Sequence, residues 1–164
     1  MIGNSFSRKT SDPRRRPRIL VAGLGNLLLK DDGVGVHAVR ALQPAVPRGV
    51  RAVEVGTAVL EALHLFEWAD RILAIDAMQA GGMPGTVYRF GVEDVADRPV
   101  RGSLHEVDLV AGLRFLTNGH RPTITILAVE PETIDVGLDL SHRVKAALPR
   151  LITAAKDILA HWCV

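Results

Sequence analysis

Apolar residues recur along this chain in two rhythms. Short segments rich in apolar residues, from Arg18 to Leu24 (RILVAGL), over 50–56 (VRAVEVG), 71–77 (RILAIDA) and 123–129 (TITILAV), close at or beside a glycine or a carboxylate. Runs of this length and β-branched content predict strands buried on both faces. Between them the spacing changes to three and four, the helical period. Val36, Val39 and Leu42 share one face of a helix predicted to open near Asp31 or Asp32, with one of the two as its N-cap. A second helix is predicted over 57–70 with Thr57 as cap, and a third over 103–116, where Ser103 and Glu106 form a capping box. A last helix carries Val144, Ala147, Leu148, Leu151, Ile152, Ala155, Ile158, Leu159 and Trp162 in one stripe that runs through Pro149. TVYRF (86–90) reads as a short edge strand whose direction the pattern does not give. Strands alternating with helices predict an α/β fold, a three-layer sandwich with a mostly parallel, twisted sheet flanked by helices on both faces.

Length and composition narrow this further. At 164 residues, 48% of them apolar, the chain buries one core and is short for two. The formal net charge of +2 conceals an asymmetry, because Arg8, Lys9, Arg14, Arg15, Arg16 and Arg18 face only Asp12 in the first 18 residues. Residues 19–164 carry 14 basic against 17 acidic side chains. Residues 1–18 are therefore expected to be a disordered basic arm, and 19–164 a single domain. A nucleic-acid binder would carry its basic stripe on the folded part, so no nucleic-acid partner is expected. No run reaches the roughly 18 apolar residues of a membrane span, and no signal-peptide core precedes the first strand, so a cytoplasmic protein without a membrane partner is expected. The single cysteine, Cys163, offers neither a disulfide nor a cysteine-ligated zinc site.

In parallel α/β sheets ligands bind beyond the carboxyl ends of the strands. That rule gathers Asp31 and Asp32 after strand one, Glu54 at the end of strand two, Asp76 at the end of strand three, Glu130 after strand five and His105 at the opening of the third helix. A dinucleotide fold fits poorly. Gly23 and Gly25 follow a strand, but Leu28 replaces the third glycine, and an acidic pair at a helix start repels a pyrophosphate. Two carboxylates and an imidazole, Asp32, Asp76 and His105, instead suit an open site for a divalent ion such as nickel, zinc or manganese. Each also has a plain structural use: a cap for one of the adjacent aspartates, a solvated strand end for Asp76, a first-turn position for His105. No G-x-S-x-G elbow is present, and His37, His64, His120, His142 and His161 fall on helix faces or in loops. Glu130 beside Pro131 reads as a supporting group or a loop carboxylate.

Four stretches in order, GLGNLLLKDDGVGVHAV, ILAIDAMQAGGMPGTVYRF, GSLHEVDLVAGLRFL and ITILAVEPETIDVGLDLSHRVKAALP, resemble the motifs of the nickel-iron hydrogenase maturation endopeptidases. The resemblance implies an enzyme, aspartic-type or metal-assisted, that removes a short C-terminal extension from the hydrogenase large-subunit precursor after nickel insertion. It places the family's metal-contacting groups, which would also be catalytic, on Asp32, Asp76 and His105. The nickel belongs to the substrate, and no organic cofactor is implied. Asp31 becomes a capping and orienting residue, and Glu54 an accessory acid. The chain departs from the pattern at VEVGTAVLEAL, where Glu54 and Val55 replace the usual aspartate and glycine. A monomer is expected. Two other readings stay open: a non-catalytic chaperone that checks the nickel site, and a related α/β peptidase acting on another precursor.

Overall fold

The computed structural model describes residues 15–91 and 121–164. The predicted helix over 103–116, with Ser103, His105 and Glu106, lies outside the described residues, as does most of the expected basic arm. Among the described residues five strands form one sheet in the order β2-β1-β3-β5-β4: β1 (Ile19–Leu24), β2 (Val50–Gly56), β3 (Arg71–Ala77), β4 (Val87–Gly91) and β5 (Thr123–Val129). The pairs β1/β2, β1/β3 and β3/β5 are parallel, and β4 closes one edge antiparallel to β5. The four parallel strands lie where the sequence predicts them, but β2, at the edge of the sheet, is not buried on both faces: only Val55 of its residues is buried.

Strand alternation sorts the side chains into two cores. Ile19, Val21, Leu73, Ile75, Leu127 and Val129 point to one face, where α1 (Val34–Leu42) and α3 (His142–Trp162) cover them. Leu20, Ala22, Leu24, Ile72, Ala74 and Ile126 point to the other, against Phe66 of α2 (Leu63–Trp68). This is the expected sandwich. The stripe of α3 buries Val144, Ala147, Leu151, Ala155, Ile158, Leu159 and Trp162, and the helix runs unbroken past Pro149. Helix α1 comes very close to the sheet: a Cβ at Gly35 would collide with the carbonyl oxygens of Ile75 and Leu24. Only glycine permits that approach.

Two expectations are corrected. The helix predicted over 57–70 begins only at Leu63, and Thr57 caps nothing, because Val59 and Ala62 reach the core from turns. Neither Asp31 nor Asp32 caps α1 by its side chain: both lie in a 3-10 turn, Lys30–Gly33, and Gly33 is the N-cap.

The amino end of β1 is fixed by Asp70, whose carboxylate accepts from the Arg18 backbone N–H at 2.7 Å, the Arg18 guanidinium at 3.1 Å and Arg15 at 2.8 Å. Burial alone would raise this carboxyl's pKa, but the Arg18 hydrogen bonds and the charges of Arg18 and Arg15 outweigh it and hold the pKa down to about 2. A pKa below the unfolded value of roughly 3.9 stabilises the fold above that pH, and the contribution disappears as pH falls toward the native pKa. Asp70→Asn is expected to flatten the stability curve between about pH 4 and pH 2. At neutral pH it should cost only about 1 kcal/mol, since the pairs are partly solvated. Urea titrations across that range measure both.

Candidate active site

The chain leaves β1 for β2 on one side and returns to β3 on the other, so the sheet's switch point lies between the carboxyl ends of β1 and β3. Crevices in such sheets open there. Gly25, the first residue after β1, has φ +105° and donates its N–H to Gly56 O at 3.1 Å. The place a Cβ would take at Gly25 collides with the Asp32 carbonyl and lies 3.3 Å from Asp76 Oδ1. The segment bearing Asp32 and the side chain of Asp76 thus meet at one glycine, which a larger residue would drive apart.

Asp32 is 5% exposed, and its Oδ2 accepts from the Asn26 N–H at 2.8 Å. Asn26 Oδ1 in turn accepts from the Leu28 N–H at 2.9 Å, so the turn after β1 is built around the Asp32 carboxylate. Asp76 is fully buried, and its Oδ1 accepts from the Ala77 N–H at 2.8 Å. It lies on the face of Ile72 and Ala74 and is not the solvated strand end that its position allowed. Two buried carboxylates at one crevice carry a desolvation cost that folds meet with hydrogen bonds, partners or function. His105 lies outside the described residues. Among the described residues no three His, Cys, Asp or Glu side chains gather as a metal site.

Asp31 has a structural use that its neighbour does not share. It is fully buried. Its Oδ2 accepts from the N–H groups of Glu132 at 2.9 Å and Thr133 at 3.0 Å, and its Oδ1 from Ser141 N–H at 2.7 Å. Ser141 is the N-cap of α3. In place of the expected capping of its own helix, Asp31 ties the loop after β5, and the start of α3, to the turn after β1. Main-chain bonds from Lys30 to Gly137 O at 2.8 Å and from Gly137 to Leu28 O at 2.9 Å complete the tie.

Glu130 makes the corresponding tie on the other side. Its carboxylate accepts from the N–H groups of Ala80 and Gly81 at 2.9 and 3.2 Å and from the Tyr88 hydroxyl at 2.9 Å, fixing the loop that follows Asp76. Burial, then the hydrogen bond to Glu130 and its charge, push the Tyr88 phenol above its ordinary pKa. Glu54 pairs with Arg40 at 2.9 Å and lines a groove of about 230 Å³ with Gly25, Asn26, Gly56 and Thr57. Val55 is the bulged residue of β2, skipped in the register between Glu54 and Gly56. It turns into the core at 6% exposure, which is how a β-branched residue is accommodated there.

A family model described as hydrogenase maturation protease matches residues 36–158. The hydrogenase expression/formation protein HupD of Rhizobium leguminosarum is 32% identical over 163 residues, covering 93% of this chain and 79% of that protein. The hydrogenase 2 maturation protease of Escherichia coli K12 is 30% identical over 151 residues, covering 85% and 92%. Among solved structures, the hydrogenase maturating endopeptidase HybD from E. coli superposes with a TM-score of 0.79 at 29% identity, covering 88% of this chain and 93% of that one. The [NiFe] hydrogenase maturation protease HybD from Thermococcus kodakarensis gives 0.75 at 29%, covering 87% and 99%. The chain belongs to the hydrogenase maturation protease family, whose members are endopeptidases.

Proposed function

We propose that this endopeptidase removes the C-terminal extension of a nickel-iron hydrogenase large-subunit precursor after nickel insertion, and that Asp32, Asp76 and His105 engage the substrate's nickel. The observation that carries this reading is the meeting of the Asp32 segment and the Asp76 carboxylate at Gly25, at the sheet's switch point. Hard carboxylate oxygens with an imidazole can complete the coordination of a nickel ion that the precursor already holds, so that metal loading becomes the recognition signal. Cleavage adds water across the peptide bond. The water oxygen joins the carbonyl carbon, the C–N bond breaks, and the amine leaves with a proton. Either a carboxylate takes the water's proton or the nickel lowers the water's pKa, the two routes open to such a site. Asp31 positions the loops around the crevice, and Glu54 serves as an accessory acid at its edge. The same reading has the chain working in the cytoplasm as a monomer, without nucleic-acid or membrane partners.

Intact-mass spectrometry of a nickel-loaded precursor before and after incubation tests the proposal. The expected outcome is a discrete loss from the C-terminus. An unchanged precursor mass with stable binding would indicate a checking chaperone. Cleavage of an unrelated precursor alone would indicate another protein substrate.

A further inference from the structure

The exposed large apolar side chains among the described residues are distributed unevenly. Leu28, Leu60, Met83, Ile134, Val136 and Leu138 all stand in the loops that follow β1, β2, β3 and β5, and the remaining one is the terminal Val164. These loops lie at the end of the sheet where the Asp32 and Asp76 segments meet. The opposite end presents exposed Arg16, Arg48 and Arg51. Single exposed apolar residues are ordinary, but a set confined to the loops at one end of the sheet marks an interaction surface.

The centre of this set is built to stay in place. Leu28 is 61% exposed, Val136 86% and Leu138 66%. They are carried by the two segments that pair through Leu29 and Gly137 and that Asp31 fastens with its three backbone hydrogen bonds. Lys30, between Leu28 and the aspartates, takes φ +45°, a left-handed backbone disfavoured for a side-chain-bearing residue and held here by its bond to Gly137. Polar residues would satisfy these loop tips in water equally well. A fixed apolar display on fastened loops is prepared to bury against something, with little ordering cost on binding.

We infer that Leu28, Val136 and Leu138 form the docking surface for an apolar segment of the precursor close to its scissile bond. The inference rests on the proposed function and specifies the recognition element of that same site. The occupant is assigned to the precursor because the same turn serves both places: Leu28 accompanies Asn26, whose N–H holds the Asp32 carboxylate, and Gly137, between Val136 and Leu138, bonds to that turn. Nickel then reports that the precursor is ready, and the apolar rim reports that the correct chain is present.

Steady-state cleavage of nickel-loaded precursor by the full chain, by Val136→Glu/Leu138→Glu and by Val164→Glu is the test, with product followed by intact mass. The double variant alters exposed positions, and an unchanged thermal midpoint verifies its fold. It is expected to raise KM at least tenfold with kcat within twofold, while Val164→Glu behaves as the wild type. A KM within twofold of wild type in the double variant overturns the docking surface and leaves the proposed function standing. Absence of cleavage by the wild-type chain overturns the proposed function, and this inference with it. A wild-type chain that sediments as a dimer while the double variant sediments as a monomer assigns the rim to a second copy, which also overturns the inference.

Discussion

Asp76→Asn is expected to lower precursor cleavage by at least about 10³-fold while leaving the fold intact. The substitution keeps the side chain's shape at a fully buried position, and an amide oxygen can still accept the Ala77 N–H bond that Asp76 Oδ1 accepts at 2.8 Å. What it removes is an ionisable carboxyl at the carboxyl end of β3, the group that the proposed chemistry needs as a base or as a ligand to the substrate's cation. If Asp76 merely ended a strand, this near-isosteric change would have little effect on rate. Circular dichroism and the urea midpoint show whether the fold survives, and intact-mass kinetics give the rate. A folded variant with wild-type kcat/KM would remove Asp76 from the chemistry.

Asp31→Ala is expected to reduce the unfolding free energy by about 3 kcal/mol. Hydrogen bonds to charged groups contribute roughly 1.5–3 kcal/mol each, and water replaces part of what is lost. Three backbone N–H groups, those of Glu132, Thr133 and Ser141, lose their acceptor together. The damage should be local first: these amides should exchange with solvent faster than those of the central strands. Asn at this position keeps one good acceptor and turns an N–H₂ toward a donor, so it should fall between alanine and wild type. A change below about 0.5 kcal/mol in the alanine variant would show that solvent supports the loop without Asp31.

These two aspartates differ in how much of their use a sequence pattern conveys. Strands β1, β3 and β5 were legible because burial inside the sheet demands nearly continuous apolar runs, β2 because its β-branched residues end at a glycine although it lies at the sheet's edge, and Asp76 was legible as the polar break at the end of β3. Asp32 and Asp76 could be assigned to one rim by the rule for parallel sheets. The use of Asp31 could not be read, because its partners lie 101, 102 and 110 residues away and are backbone groups, which leave no trace in side-chain identity. Local rules favoured a helix cap, and a tertiary contact took the carboxylate instead. The opening of α2 was misplaced for a related reason: Val59 and Ala62 keep helical spacing yet reach the core from turns. The direction of β4 was unreadable since alternation is the same for parallel and antiparallel edges. The ties made by Glu130 to Ala80, Gly81 and Tyr88 join segments up to 50 residues apart and were equally hidden.

The central claim is that the substrate's nickel is what the Asp32 and Asp76 crevice recognises. Its most direct test is incubation of the purified chain with matched nickel-loaded and nickel-free large-subunit precursors, followed by intact mass. The nickel-loaded form should lose its C-terminal extension and the nickel-free form should remain whole. Shortening of both at equal rates would contradict recognition through the metal.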